Sequence, residues 1–118
     1  MNGMLLVLCT FPDLAKARQI GTALVEKQLA ACVNLLPGGE SIYRWNGAVE
    51  QAPEVLGIFK TTRCLYPALA QAIAAMHPYE VPEIVALQPC AVAASYLAWV
   101  QASVVEHSGD LPHSRTAE

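Results

Sequence analysis

The spacing of apolar and polar residues changes several times along this chain, and each change marks an element. Residues 4–10, MLLVLCT, form a short apolar run that reads as a buried strand. Met4, Leu6 and Leu8 face one way, and Leu5, Val7 and Cys9 the other. Thr10 with Asp13 three residues on resembles a capping box, and Pro12 suits a first helical turn. Leu14, Ala17, Gly21, Leu24, Val25 and Gln28 then recur at helical spacing, which predicts a helix from about Pro12 to Ala30.

Strand periodicity returns in ACVNLL (31–36). PGGE is expected to break that strand and SIYRW to resume it, before Asn46-Gly47, a strong tight-hairpin signal. The chain continues to Pro53, and EVLGIFKTT (54–62) reads as a long strand with Gly57 as a candidate bulge. Leu65, Leu69, Ala72, Ile73 and Met76 mark a second helix from about Tyr66 to Met76, which Pro78 ends by holding His77 out of helical geometry. EIVAL (83–87) is the last core strand. Residues 92–104 predict a short third helix with Tyr96, Leu97, Trp99 and Val100 on its inner face.

The order β-α-β-β-α-β plus a terminal helix is the split pattern of a ferredoxin-like α+β sandwich. One domain over 1–105 is expected, followed by a loose polar tail, 106–118. The second sheet face needs cover, and association through it or through the long 40–61 hairpin is expected.

Composition sharpens this picture. With 118 residues the chain holds one core, and 54% hydrophobic against 14% charged residues implies extensive burial, some of it between copies. The net charge of −3 and the lack of a basic cluster argue against nucleic-acid binding. No run approaches the roughly 18 apolar residues of a membrane span, and the N-terminus lacks a secretory leader, so a cytoplasmic protein is expected. The four cysteines at 9, 32, 64 and 90 have neither zinc-finger nor C-x-x-C spacing and are read as reduced thiols.

Candidate chemistry gathers around HPYEVPEI (77–84). His77 reads either as a helix C-terminal histidine favoured by the dipole or as a ligand. Cys9 at the end of the first strand, His77 and Met76 would form a soft donor set suited to copper, although Met76 also fits the apolar stripe of the second helix. Pro78 and Pro82 make the segment stiff and unable to pair as an interior strand, so it displays Tyr79 and Glu80. Tyr43 or Trp45 could meet Tyr79, and Lys60 or Arg44 could meet Glu80 or Glu83. No G-x-S-x-G, H-E-x-x-H or phosphate-cradling loop is present, and no catalytic constellation can be assigned, so an enzyme is not expected.

ACVN, SIYRWNG, KTT, HPYEVPEI and YLAWV stand in the order and spacing of the divalent-cation tolerance family CutA, which the chain resembles over about residues 5–103. The resemblance implies a ferredoxin-like homotrimer linked to tolerance of copper and other divalent ions. It implies no required cofactor, but copper as a candidate, with ligands matching Cys9 and His77. Some bacterial members read His-His-Pro-Tyr where this chain has Met76-His77-Pro78-Tyr79, which shifts any site toward Cu(I). The family trimer is also similar in shape to PII-type signalling proteins. That likeness implies an alternative role, a scaffold whose intersubunit cleft, lined by Tyr43, Trp45, Lys60, Tyr79, Glu80 and Glu83, takes a small anion or metabolite.

Overall fold

The computed structural model describes residues 2–105; the predicted tail lies outside the described residues. Four strands form one sheet, β1 (Met4–Phe11), β2 (Cys32–Trp45), β3 (Ala48–Thr62) and β4 (Val85–Leu87), in the order β2-β3-β1-β4. All pairings are antiparallel. The helices are α1 (Leu14–Glu26), α2 (Tyr66–Met76) and α3 (Ala94–Ser103). This is the ferredoxin-like α+β sandwich that the periodicity predicts.

The β1–β3 register pairs Val7 with Phe59, Cys9 with Gly57 and Phe11 with Val55. These residues form the buried face, against which α1 packs Ala17, Ile20 and Leu24 and α2 packs Leu69 and Ile73. Gly21 lets α1 approach closely, because a Cβ there would lie 3.0 Å from Val33 Cγ1. Met76 packs at the margin of the same core. The second face carries Leu6, Leu8, Leu56 and Ile58, all half-buried, flanked by exposed Leu36, Val85 and Leu87. Tyr96 of α3 reaches Cys32 on that second face, so α3 covers part of it.

Several expected boundaries are corrected. β1 extends through Thr10 to Phe11, and Asp13 caps α1 alone, its Oδ1 accepting from Lys16 N–H at 2.7 Å; Thr10 belongs to the strand. The first helix stops at Glu26 rather than near Ala30. Gln28 turns left-handed, at φ 60°, while Gln28 N–H donates to Val25 O and Leu29 N–H to Leu24 O. That pair of bonds is a Schellman ending, made here without the usual glycine, so no sequence signal announced it. Gly57 is not a bulge. It is paired regularly, and a Cβ there would lie 2.9 Å from the Phe11 ring. The irregularity falls between Leu36 and Gly39 instead, so Pro37-Gly38 kinks β2 without ending it.

β2 and β3 run on as an arm to the Asn46-Gly47 turn, whose central residues have φ 52° and 83°, as a tight hairpin requires. Pro53 lies inside β3, just past the end of β1, where the strand has one neighbour. β4 is three residues long, since Pro82 and the extended chain before it delay pairing until Val85. On α3 only Val100 is fully buried; Leu97 is partly buried, and Tyr96 and Trp99 are exposed and stacked on each other with centroids 5.7 Å apart.

Candidate functional site

Pro78 holds His77 extended, with ψ 139°, at the end of α2. The ring turns inward, 8% exposed, and stacks on Phe11 with centroids 5.2 Å apart. Its Nε2 lies 2.7 Å from the Thr10 carbonyl oxygen. A carbonyl only accepts, so Nε2 carries the proton. Nδ1 then accepts the backbone N–H of Tyr79 at 3.1 Å. Both ring nitrogens are therefore engaged by backbone, and His77 pins the 77–79 corner to the end of β1.

Cys9 is fully buried, and its Sγ lies 3.7 Å from the same Thr10 oxygen. The two predicted soft ligands thus converge on one carbonyl. Burial, with the carboxylates of Glu83 and Glu54 adding to it, pushes the Cys9 thiol up to about 12. Met76 is not drawn to this point and remains a packing residue. Among the described residues no group of three His, Cys, Asp or Glu side chains could hold a metal ion.

On the second face, where the arm leaves the body, the corner walls a cleft of about 510 Å³. Tyr43, Trp45, Glu50 and Glu54 of the arm line one side, and Tyr79, Glu80 and Glu83 the other. Glu54 ties the sides together. Its Oε2 accepts the Tyr79 hydroxyl and its Oε1 the Ser41 hydroxyl, each at 2.5 Å. Burial and the bond to Glu54 hold the Tyr79 hydroxyl well above its ordinary value.

Five of the six predicted cleft residues meet here, and Lys60 does not. Lys60 sits further into the sheet, opposite Cys32 in the register, bonded to Asn34 Oδ1 and 3.7 Å from Cys32 Sγ. The aromatic partner of Tyr79 is His77, with centroids 4.7 Å apart, rather than Tyr43 or Trp45. Glu50 and Glu54 are the residues that sequence reasoning missed. Counting residue pairs back from the Asn46-Gly47 turn places both on the face that carries Ser41, Tyr43 and Trp45. No Lys, Arg or His is among the described residues lining the cleft, so its field is negative.

The model of the CutA1 divalent ion tolerance protein family matches residues 5–103. The chain belongs to this family. It is 50% identical over 95 residues to the divalent-cation tolerance protein CutA of Thermus thermophilus, covering 80% of this chain and 92% of that one. It is 47% identical over 92 residues to Protein CutA of Homo sapiens, covering 78% of this chain but only 51% of the human protein. This chain thus spans about half the length of that relative. The solved structure of the periplasmic divalent cation tolerance protein CutA from Archaeoglobus fulgidus superposes with a TM-score of 0.84 at 33% identity, covering 86% of this chain and 99% of that one. The CutA1 match takes in every residue of the cleft and of the His77 corner.

Proposed function

We propose that this CutA1-family chain acts in divalent-cation tolerance as a cytoplasmic homotrimer, and that the cleft at the root of the arm attracts a hydrated divalent cation. The observation that carries the cation reading is the cleft lining of four glutamates, Glu50, Glu54, Glu80 and Glu83, with no basic side chain among them. Carboxylates and the faces of Tyr43, Trp45 and Tyr79 favour positive charge and repel anions. The ion keeps its water shell, since these carboxylates do not converge as a chelating set. The exposed apolar side chains Leu36, Val85 and Leu87, with the protruding arm, support self-association through the second face.

Thermal unfolding with manganese(II) as a hard divalent probe, and with citrate as an anionic one, tests the cleft. Manganese is expected to raise Tm, and the Glu50→Gln/Glu83→Gln double variant to lose that rise. An equal rise in the variant, or stabilisation by citrate alone, overturns the reading. Sedimentation mass tests the trimer. Since the Archaeoglobus fulgidus relative is described as periplasmic, cell fractionation tests the compartment.

A second reading, copper at Cys9 and His77, is favoured by their convergence on the Thr10 oxygen. A Cu(I) ion there would replace both bonds to that oxygen and displace the thiol proton. Competition titration of the reduced protein against a Cu(I) chelator tests it. One tight equivalent per chain, lost in both Cys9→Ser and His77→Ala, supports the site, and unchanged affinity in these variants removes it.

A further inference from the structure

The cleft at the root of the arm is larger than a hydrated metal ion can fill. Six waters at about 30 Å³ each occupy well under half of its 510 Å³. That volume suits a small organic molecule. The lining agrees, because rings and aliphatic groups separate the charges. Tyr43 and Trp45 on the arm and Tyr79 on the corner present aromatic surface, and Ala52 and Val81 add methyl groups. Leu36, Val85 and Leu87, the apolar side chains that support self-association, are not among the lining residues, so that contact does not by itself occupy the cleft.

The four glutamates divide into two kinds. Glu54 is committed to the contact between arm and corner, since both its oxygens accept hydroxyl groups, from Tyr79 and from Ser41. Glu50, Glu80 and Glu83 are exposed and have no hydrogen-bond or ion-pair partner among the described residues. Glu50 stands on the arm and the other two on the corner, so the free carboxylates face the space from opposite walls without converging as a chelating set. A metal ion concentrates its charge at one point and gains nothing from the aromatic and methyl surface between them. A ligand whose positive charges are spaced along an apolar stem matches both features. Its ammonium groups donate to separate carboxylates and lie against ring faces, while its methylenes cover the apolar lining.

Resting on the reading of this cleft as a cation site, we propose that it takes a linear aliphatic di- or polyamine. The ammonium groups sit on Glu50, Glu80 and Glu83, and the stem runs along Tyr43 and Trp45. Divalent metal ions compete with the amine for the same carboxylates, so excess metal displaces it and the occupancy of the cleft follows the metal load.

Isothermal titration of the native protein with spermidine at constant ionic strength tests this, with manganese(II), the monoamine hexylamine and the neutral hexanediol as comparisons. Spermidine is expected to bind saturably and on the order of tenfold tighter than hexylamine, since several ion pairs replace one, and hexanediol is expected not to bind. Manganese should weaken spermidine competitively. The Glu50→Gln/Glu80→Gln double variant should weaken spermidine about tenfold. Trp45→Leu should weaken it about threefold, as one exposed cation–π contact allows. All three side chains are exposed, and should either variant still fail to fold, the ligand series in the unaltered protein decides the matter. Binding of manganese without spermidine overturns the amine proposal and leaves the cation reading standing, whereas binding of neither overturns both. Equal affinity for spermidine and hexylamine, simultaneous binding of spermidine and manganese without competition, or undiminished spermidine affinity in either variant would also overturn the proposal.

Discussion

The two faces of one sheet carry cysteines with opposite surroundings. Cys9 lies on the face closed by α1 and α2, fully buried beside Phe11 and Phe59 in the core. Cys32 lies on the other face, partly open, beside an ammonium and a phenol. The closed face is packed against the chain's own helices, so its substitutions should cost the monomer directly. The second face leaves leucines half-exposed and polar groups in their midst, so its substitutions should act through whatever meets it.

The largest effect expected from this contrast is at Phe59. Phe59→Ala removes a fully buried ring from the closed face and should cost roughly 3–5 kcal/mol in urea unfolding. Leu87→Ala on the second face should cost far less per chain, with a midpoint that depends on protein concentration if copies cover it. Equal, concentration-independent losses would erase the distinction between the faces. A smaller effect tests how tightly the closed face is packed. Gly57→Ala puts a methyl group 2.9 Å from the Phe11 ring and should destabilise by about 1–3 kcal/mol. A neutral result would mean that Phe11 moves aside at little cost.

The smallest effect concerns the sealed thiol. Its folded value, about 12, lies above the ordinary thiol value of 9.0, so the folded chain holds this proton more tightly than the unfolded one. That contribution is intact below pH 9 and is lost as pH rises toward 12. Stability should fall by about 1 kcal/mol between pH 9 and 10, and Cys9→Ala should flatten that slope in urea unfolding. A slope that Cys9→Ala leaves unchanged would mean that the thiol is not sealed in solution.

Much of the fold was legible in the sequence because local periods carry it. Alternation in 4–10 and 54–62, the helical stripes of α1 and α2, and the Asn46-Gly47 turn each act over a few residues. The misplaced boundaries share one cause. The left-handed Gln28, the kink at Pro37-Gly38 and the regular Gly57 follow from contacts across the sheet or at a helix end, which neighbouring residues do not encode. The cleft was half legible for a related reason. HPYEVPEI announces a rigid polar corner, but Glu54 enters the site through register, and Lys60 stays out of it because it lies further along β3, opposite Cys32 and Leu6 in the body of the sheet.

By itself, the sequence determined the element order, the sandwich, the tight hairpin and the stiffness of residues 77–82, since periodicity, turn chemistry and proline sterics are local. Tertiary structure decided which side chains meet. It directed both nitrogens of His77 to backbone partners, drew Cys9 and His77 to one carbonyl oxygen and filled the cleft wall with glutamates. It also set Lys60 beside Cys32, 28 residues away in the chain and directly opposite in the register. These meetings depend on strand pairing and on the path of the chain round the end of the sheet, which bring together residues too far apart for any local pattern to connect.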